Sequence, residues 1–113
     1  MLNIDDNNNI TLTRGDSASI GVTLENPDGT TYELQEGDEL LFTVKHNCIT
    51  EDIIIQKDIS STAIINLLPG DTEDLLYGVY FYDVQLTKAN GAVNTVIPPR
   101  DFIIAKEVTF GGE

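Results

Sequence analysis

Along most of this chain apolar side chains recur at every second position, in short runs separated by clusters of Gly, Pro, Asn and Asp. That is the period of strands with one buried face. Ile10-Thr11-Leu12-Thr13 predicts a first strand, stopped by Arg14-Gly15-Asp16. Ala18, Ile20, Val22 and Leu24 then alternate with Ser19, Gly21, Thr23 and Glu25, predicting a half-buried strand in which Gly21 marks a bulge. In Asn26-Pro27-Asp28-Gly29 the proline presets φ and the glycine lets the chain leave, so a type I turn is expected, with a short return strand over 31–34. After the polar break at 35–39, strands are expected over 40–45, 53–59 and 63–68. A single segment, 69–78, reads as helical: an aspartate cap, acids in the first turn and a closing glycine frame one turn of connector.

The strongest strand is 79–87, with Tyr80, Tyr82, Val84 and Leu86 on one face. Asn90-Gly91 predicts a two-residue hairpin loop into 92–97. That loop sets Ala89 opposite Ala92, Leu86 opposite Thr95 and Val84 opposite Ile97, so the apolar residues of both strands share a side. Pro98-Pro99 should end the pairing, because neither residue can donate to a ladder. A closing strand over 102–110 and a tail at 111–113 complete the reading.

Seven or eight such strands with hairpin connections predict an all-β fold, an antiparallel two-sheet sandwich in one domain spanning residues 1–113. The stretch from Asp71 to Val84 resembles the corner of immunoglobulin-like domains, in which an acid and a glycine precede a Tyr-x-Cys-x-Val strand. Asp71, Gly78, Tyr80, Tyr82 and Val84 reproduce that spacing, with Tyr82 in the place of the cysteine. The resemblance implies that the Tyr80 hydroxyl bonds back to the connector ahead of it.

Composition narrows the partners. Nineteen acidic residues against six basic ones give a net charge of −13, a field that repels phosphate backbones and anionic membranes. Arg14, Lys45, Lys57, Lys88, Arg100 and Lys106 are scattered and form no basic stripe. Neither nucleic acid nor membrane is therefore expected as a partner. Cys48 stands alone, so no intrachain disulfide is possible and packing must supply the stability. The opening Met1-Leu2-Asn3-Ile4-Asp5-Asp6 has neither the basic start nor the apolar run of a secretory signal.

Little in the sequence points to catalysis. His46 and Cys48 share a face of an extended chain, yet no third ligand or orienting acid completes a metal or nucleophilic set. No enzyme activity and no small-molecule substrate is expected. Arg14-Gly15-Asp16 spells a tripeptide that some integrins bind, but a turn between strands accounts for each of its residues. Asp5, Asp6, Asp28, Glu36, Asp38, Glu39, Glu51, Asp52, Asp71, Glu73 and Asp74 crowd the expected loops. They are read as a solvated rim, with calcium at sandwich loops as the alternative and no cofactor as the expectation.

Three stretches together carry a family resemblance: Ile10 through Ser17, then Gly37-Asp38-Glu39-Leu40-Leu41-Phe42-Thr43-Val44-Lys45, and Gly78-Val79-Tyr80-Phe81-Tyr82-Asp83-Val84-Gln85-Leu86. They resemble small sandwich domains of structural proteins from phages and prophages of Firmicutes, including the amino-terminal domain of upper baseplate proteins. The resemblance implies a virion component of tail, baseplate or head that assembles with other subunits or with itself. Folding in the host cytoplasm without disulfides, followed by incorporation into a virion, agrees with the lone cysteine. Upper baseplate proteins continue past this domain into stalks or receptor-binding parts, so a small structural subunit is the expectation for a chain ending at Glu113. Calcium-dependent surface or carbohydrate binding is the competing expectation.

Contact between subunits should fall where sheet edges are poorly guarded. Ile53, Ile54 and Ile55, and Ile64 and Ile65 after Ala63, place apolar residues on consecutive strand positions. At least one large side chain in each group must therefore point away from the core.

Overall fold

The computed structural model describes residues 2–47 and 52–106. Its elements in chain order are β1 (Leu2–Ile4), β2 (Ile10–Thr13), β3 (Ala18–Gly21), β4 (Glu39–Lys45), β5 (Ile55–Asp58), β6 (Ile64–Leu67), α1 (Pro69–Thr72), β7 (Gly78–Thr87) and β8 (Val93–Ala105). The fold is all-β apart from the single helical turn. One sheet has six strands in the order β1-β2-β8-β7-β4-β5, and β3 and β6 form a second sheet.

Alternation on the central strands builds the core. β4 turns Leu40, Phe42 and Val44 inward, opposite Leu86, Val84 and Tyr82 of β7. β8 adds Phe102 beside Tyr80, and β2 adds Ile10 and Leu12. The second sheet covers them with Ile20, Ile65 and Leu67. Phe42 lies 5.6 Å from the Tyr82 ring and 6.2 Å from the Phe102 ring, so three aromatic rings fill the middle in tilted or edge contacts. Each such side chain, once buried, stabilises the fold by roughly 1.5–3 kcal/mol relative to exposure.

Several expectations are corrected. The large sheet is mixed: β2 runs parallel to β8, pairing Ile10 with Phe102 through Thr13 with Ala105. These strands sit at opposite ends of the chain, so no tight turn joins them and packing alone sets their direction. β1 was not foreseen. The stretch expected to be strand over 18–24 is ladder only to Gly21, whose register with β6 is unbroken, so Gly21 marks no bulge. Val22 still donates to the Ala63 carbonyl at 2.8 Å. In place of a strand over 31–34 there is one bridge, Glu25 to Thr31, beyond a turn in which Gly29 N–H donates to the Asn26 carbonyl at 2.9 Å. The helical turn is capped by Leu68 rather than an aspartate; Asp71 sits at the third position and its carboxylate accepts from Leu68 N–H at 2.8 Å.

The largest correction is β8. Pro98-Pro99 does not end the pairing: one 13-residue strand runs through both prolines. Its register with β7 jumps from Val84/Ile97 to Tyr82/Arg100, so Asp83 faces both prolines across a bulge, where no donor is required of them. The hairpin loop is also one residue longer than expected. Lys88 N–H donates to the Ala92 carbonyl and Gly91 N–H to the Lys88 carbonyl, each at 2.8 Å, and Gly91 has φ +91°. This is a three-residue loop with a left-handed glycine. Leu86 therefore faces Asn94, not Thr95, until a second irregularity restores Val84 to Ile97. The closing strand expected over 102–110 is the end of β8 as far as Ala105; positions 107–113 lie outside the described residues.

Candidate interaction surfaces

The connector between the sheets is fastened by side chains from three directions. Asp71, besides holding Leu68, forms an ion pair with Lys57 of β5 at 2.9 Å. Gly78 begins β7 with φ +146°, a backbone setting that favours glycine. Two residues on, Tyr80 is buried and its hydroxyl donates to the Leu76 carbonyl at 2.8 Å. Tyr82, also buried, donates to the Asn8 carbonyl in the loop between β1 and β2. Burial pushes its phenol up to about 12, with the Arg100 charge working in the opposite direction.

The Arg14-Gly15-Asp16 turn packs against this connector. Gly15 N–H donates to the fully buried Thr72 hydroxyl at 2.8 Å, and Arg14 Nη1 donates to the Leu75 carbonyl at 3.3 Å. The guanidinium also lies 4.4 Å above the Tyr77 ring. The arginine that an adhesion reading would present to a receptor is thus turned onto its own domain. Thr72 escaped the sequence reading, because a threonine in a short helical turn carries no pattern that marks it as a receiver for a distant loop.

The five isoleucines separate by face. Ile55 and Ile65 enter the core, and Ile54 is half-buried while its N–H extends the ladder to the Val44 carbonyl. Ile53 and Ile64 remain exposed, at 50% and 38%. Ile53 borders a shallow groove of about 250 Å³ on the outer face of the six-stranded sheet. Its floor is Leu41 and Thr43 of β4 and Phe81 and Asp83 of β7. Leu41 and Phe81 interrupt the polar side of their strands, and that apolar residue on the outward register was the sequence signal for this surface. Burial raises the pKa of Asp83, and Lys45 across the groove pulls it back down.

A second cleft, about 510 Å³, opens between the β7–β8 hairpin and residues 23–32, with Leu24, Leu86 and Val96 in its lining. Asp38 holds its walls together: the carboxylate accepts from the Tyr32 hydroxyl, from Gln35 N–H at 2.9 Å and from Ala89 N–H at 3.1 Å. These bonds, the tyrosine's first, hold its pKa below the usual carboxylate range. Lys88 Nζ lies 4.9 Å above the Tyr32 ring.

Other loop acids fold their own turns. Asp5 accepts from Asn7 and Asn9 N–H at 2.9 Å, Asp28 from Thr30 N–H at 3.0 Å, and Asp58 from Ser60 N–H at 3.0 Å. Among the described residues no group of three or more His, Cys, Asp or Glu side chains is placed to hold a metal ion. His46 is exposed, with its ring 5.2 Å from that of Tyr80, and Cys48 lies outside the described residues. No helix among the described residues is long and apolar enough to cross a membrane. Comparison with protein families, with curated proteins and with solved structures finds no match to this chain.

Proposed function

We propose that this chain is an immunoglobulin-like sandwich serving as a non-enzymatic assembly module of a phage or prophage virion, in the tail, baseplate or head. The fold assignment is supported by β2 running parallel beside β8 next to β7, β4 and β5, over a second sheet of β3 and β6. A tyrosine near the start of β7 that bonds backward to the connector is a second support. The phage assignment is supported by the three resembling stretches, whose Gly37-Asp38 and Gly78-x-Tyr80-x-Tyr82 motifs both hold loops in place here.

The observation that carries the assembly reading is the outer face of the large sheet. A solvated antiparallel face carries polar side chains, whereas here Leu41 and Phe81 floor a groove flanked by Ile53, half of whose surface remains in water. A protein subunit covering that groove would remove this apolar surface from water. The field of a −13 chain keeps the free subunit dispersed until that partner arrives.

The test is co-expression with the products of the genes beside its own. A neighbouring structural protein is expected to co-purify with the wild-type chain and to be lost from Ile53→Lys and Phe81→Lys variants that keep the native circular dichroism. A chain that stays monomeric at high concentration and retains no neighbouring product overturns the reading.

A further inference from the structure

We infer that the first half of β8 is a strand-addition site, which takes up an extended segment of alternating apolar and basic residues from another polypeptide. This rests on the reading of the domain as an assembly module and names the surface and chemistry of one contact. β8 is longer than the strand on its outer side: β2 accompanies it from Phe102 to Ala105. Just before that, Asp101 N–H donates to Asn9 Oδ1 at 3.0 Å and Arg100 Nε to the Asn7 carbonyl at 2.9 Å. Over 93–97, among the described residues, β7 lies on one side and no strand on the other.

The ladder fixes which groups face that open side. Lys88 N–H bonds to the Ala92 carbonyl, making 88/92 a hydrogen-bonded pair, and pairing then proceeds in step through Thr87/Val93, Leu86/Asn94 and Gln85/Thr95. Hydrogen-bonded and non-bonded pairs alternate in antiparallel strands, so Leu86/Asn94 is bonded and the N–H and C=O groups of Val93 and Thr95 point outward. Pro98-Pro99 closes the window, leaving about five residues, roughly 17 Å of edge.

The cleft beside this edge supplies the side-chain chemistry. An added strand sends alternate side chains toward the inner face, where Leu24, Leu86 and Val96 line the 510 Å³ opening. Apolar residues fit that set. The other set faces solvent, where the field of a chain of net charge −13 favours cations. Basic residues fit there. The same charge opposes a second copy at this edge, because two such chains would repel one another.

The test follows amide hydrogen exchange by NMR in the full chain with an eight-residue probe of alternating valine and lysine. The Val93 and Thr95 amides are expected to slow about tenfold or more on addition of the probe, as opening to solvent is suppressed. The same peptide with glutamate for lysine should leave them unchanged. Thr95→Pro removes an outward donor without touching the bonds to β7, so it should abolish the effect while the Val84 and Leu86 amides keep their protection. Phe81→Lys, on the outer face, should leave the effect intact, so that failure of this site and failure of the outer-face reading are seen separately. Unchanged exchange at Val93 and Thr95 with the lysine peptide in large excess overturns the inference. Equal slowing by the glutamate peptide, or slowing with protein concentration alone, overturns the choice of a basic partner.

Discussion

Replacing Tyr82 by Phe isolates one hydrogen bond that ties the amino-terminal loop to the centre of the large sheet. The ring stays in contact with Phe42 and Phe102, with centroids at 5.6 and 6.3 Å, so the substitution opens no cavity and removes a single donor. Its acceptor, the Asn8 carbonyl, belongs to an exposed residue in a left-handed conformation, φ +65°, within the loop that Asp5 organises. Water can reach that carbonyl once the hydroxyl is gone, so the cost should be about 1 kcal/mol. In urea that is a midpoint shift of roughly 0.5–1 M for a domain of this size. A second signature separates this bond from general packing. The Tyr82 phenol titrates at about 12 in the folded chain, above the ordinary 10, because burial disfavours its charged form. Its contribution is fully present below pH 10 and is lost as pH rises toward 12. Wild type should therefore lose stability over that window more steeply than Tyr82→Phe, and one tyrosinate absorbance should titrate late in wild type and be missing from the variant. Equal urea midpoints at neutral pH, or the same alkaline profile in both proteins, would refute the account.

Tyr80→Phe should also cost about 1 kcal/mol in urea denaturation, since the Leu76 carbonyl loses its donor on an exposed connector. Gly37→Ala should cost about 2 kcal/mol, because Gly37 has φ +88° and an added Cβ would meet the Ala89 Cβ at 2.9 Å. Adding Ala89→Gly should recover only the steric part, as a double-mutant cycle in urea will read. The Asp38 carboxyl is held low by the Tyr32 hydroxyl and two backbone donors, so its stabilisation is present above the ordinary carboxylate range and is lost as pH falls through its lowered pKa. Asp38→Asn should flatten the acid limb of a stability profile between about pH 5 and 2. Asp83, raised by burial, works in the opposite sense: its contribution falls as pH rises through the carboxylate range.

Period-two patterning carried most of the fold. Wherever a strand has one face in the core, alternation alone places its residues, as it does for Leu40, Phe42 and Val44 against Leu86, Val84 and Tyr82. It failed where pairing is not set by burial. β1 is held by its pairing to β2 with only Leu2 partly buried against the core, and the alternation of Leu2-Asn3-Ile4 spans three residues, too short a run to mark a strand. The parallel pairing of β2 and β8 joins segments about ninety residues apart, a relation that local pattern cannot express. In the hairpin, Asn90-Gly91 signals a turn but not its length, because a left-handed glycine serves both the two-residue and the three-residue loop. The prolines misled for a related reason: missing donors forbid a regular ladder, and β8 is irregular at that point.

The two candidate surfaces differ in how far sequence could reach them. Leu41 and Phe81 are apolar residues at outward register positions, which a strict reading of alternation finds as exceptions to their strands, and Ile53, just ahead of β5, opens a run of three isoleucines that cannot all face the core. The edge at 93–97 is invisible to the same reading. Its existence depends on β8 being longer than β2, and β8 is that long only because the bulge carries the strand through Pro98-Pro99. A regular strand ending at Ile97 would have made the hairpin a short flap with no continuous connection to the sheet that β2 covers. The bulge instead lets one strand do two things: residues 102–105 close the core against β2, while residues 93–97 project beyond it with outward backbone groups beside an apolar cleft. Deleting one proline tests this coupling. It should leave one proline opposite Asp83 with no bulge; because the hairpin loop sets the register of 93–97, Val93 and Thr95 should stay outward and remain the slowed amides of the probe complex, with the β2–β8 pairing unchanged.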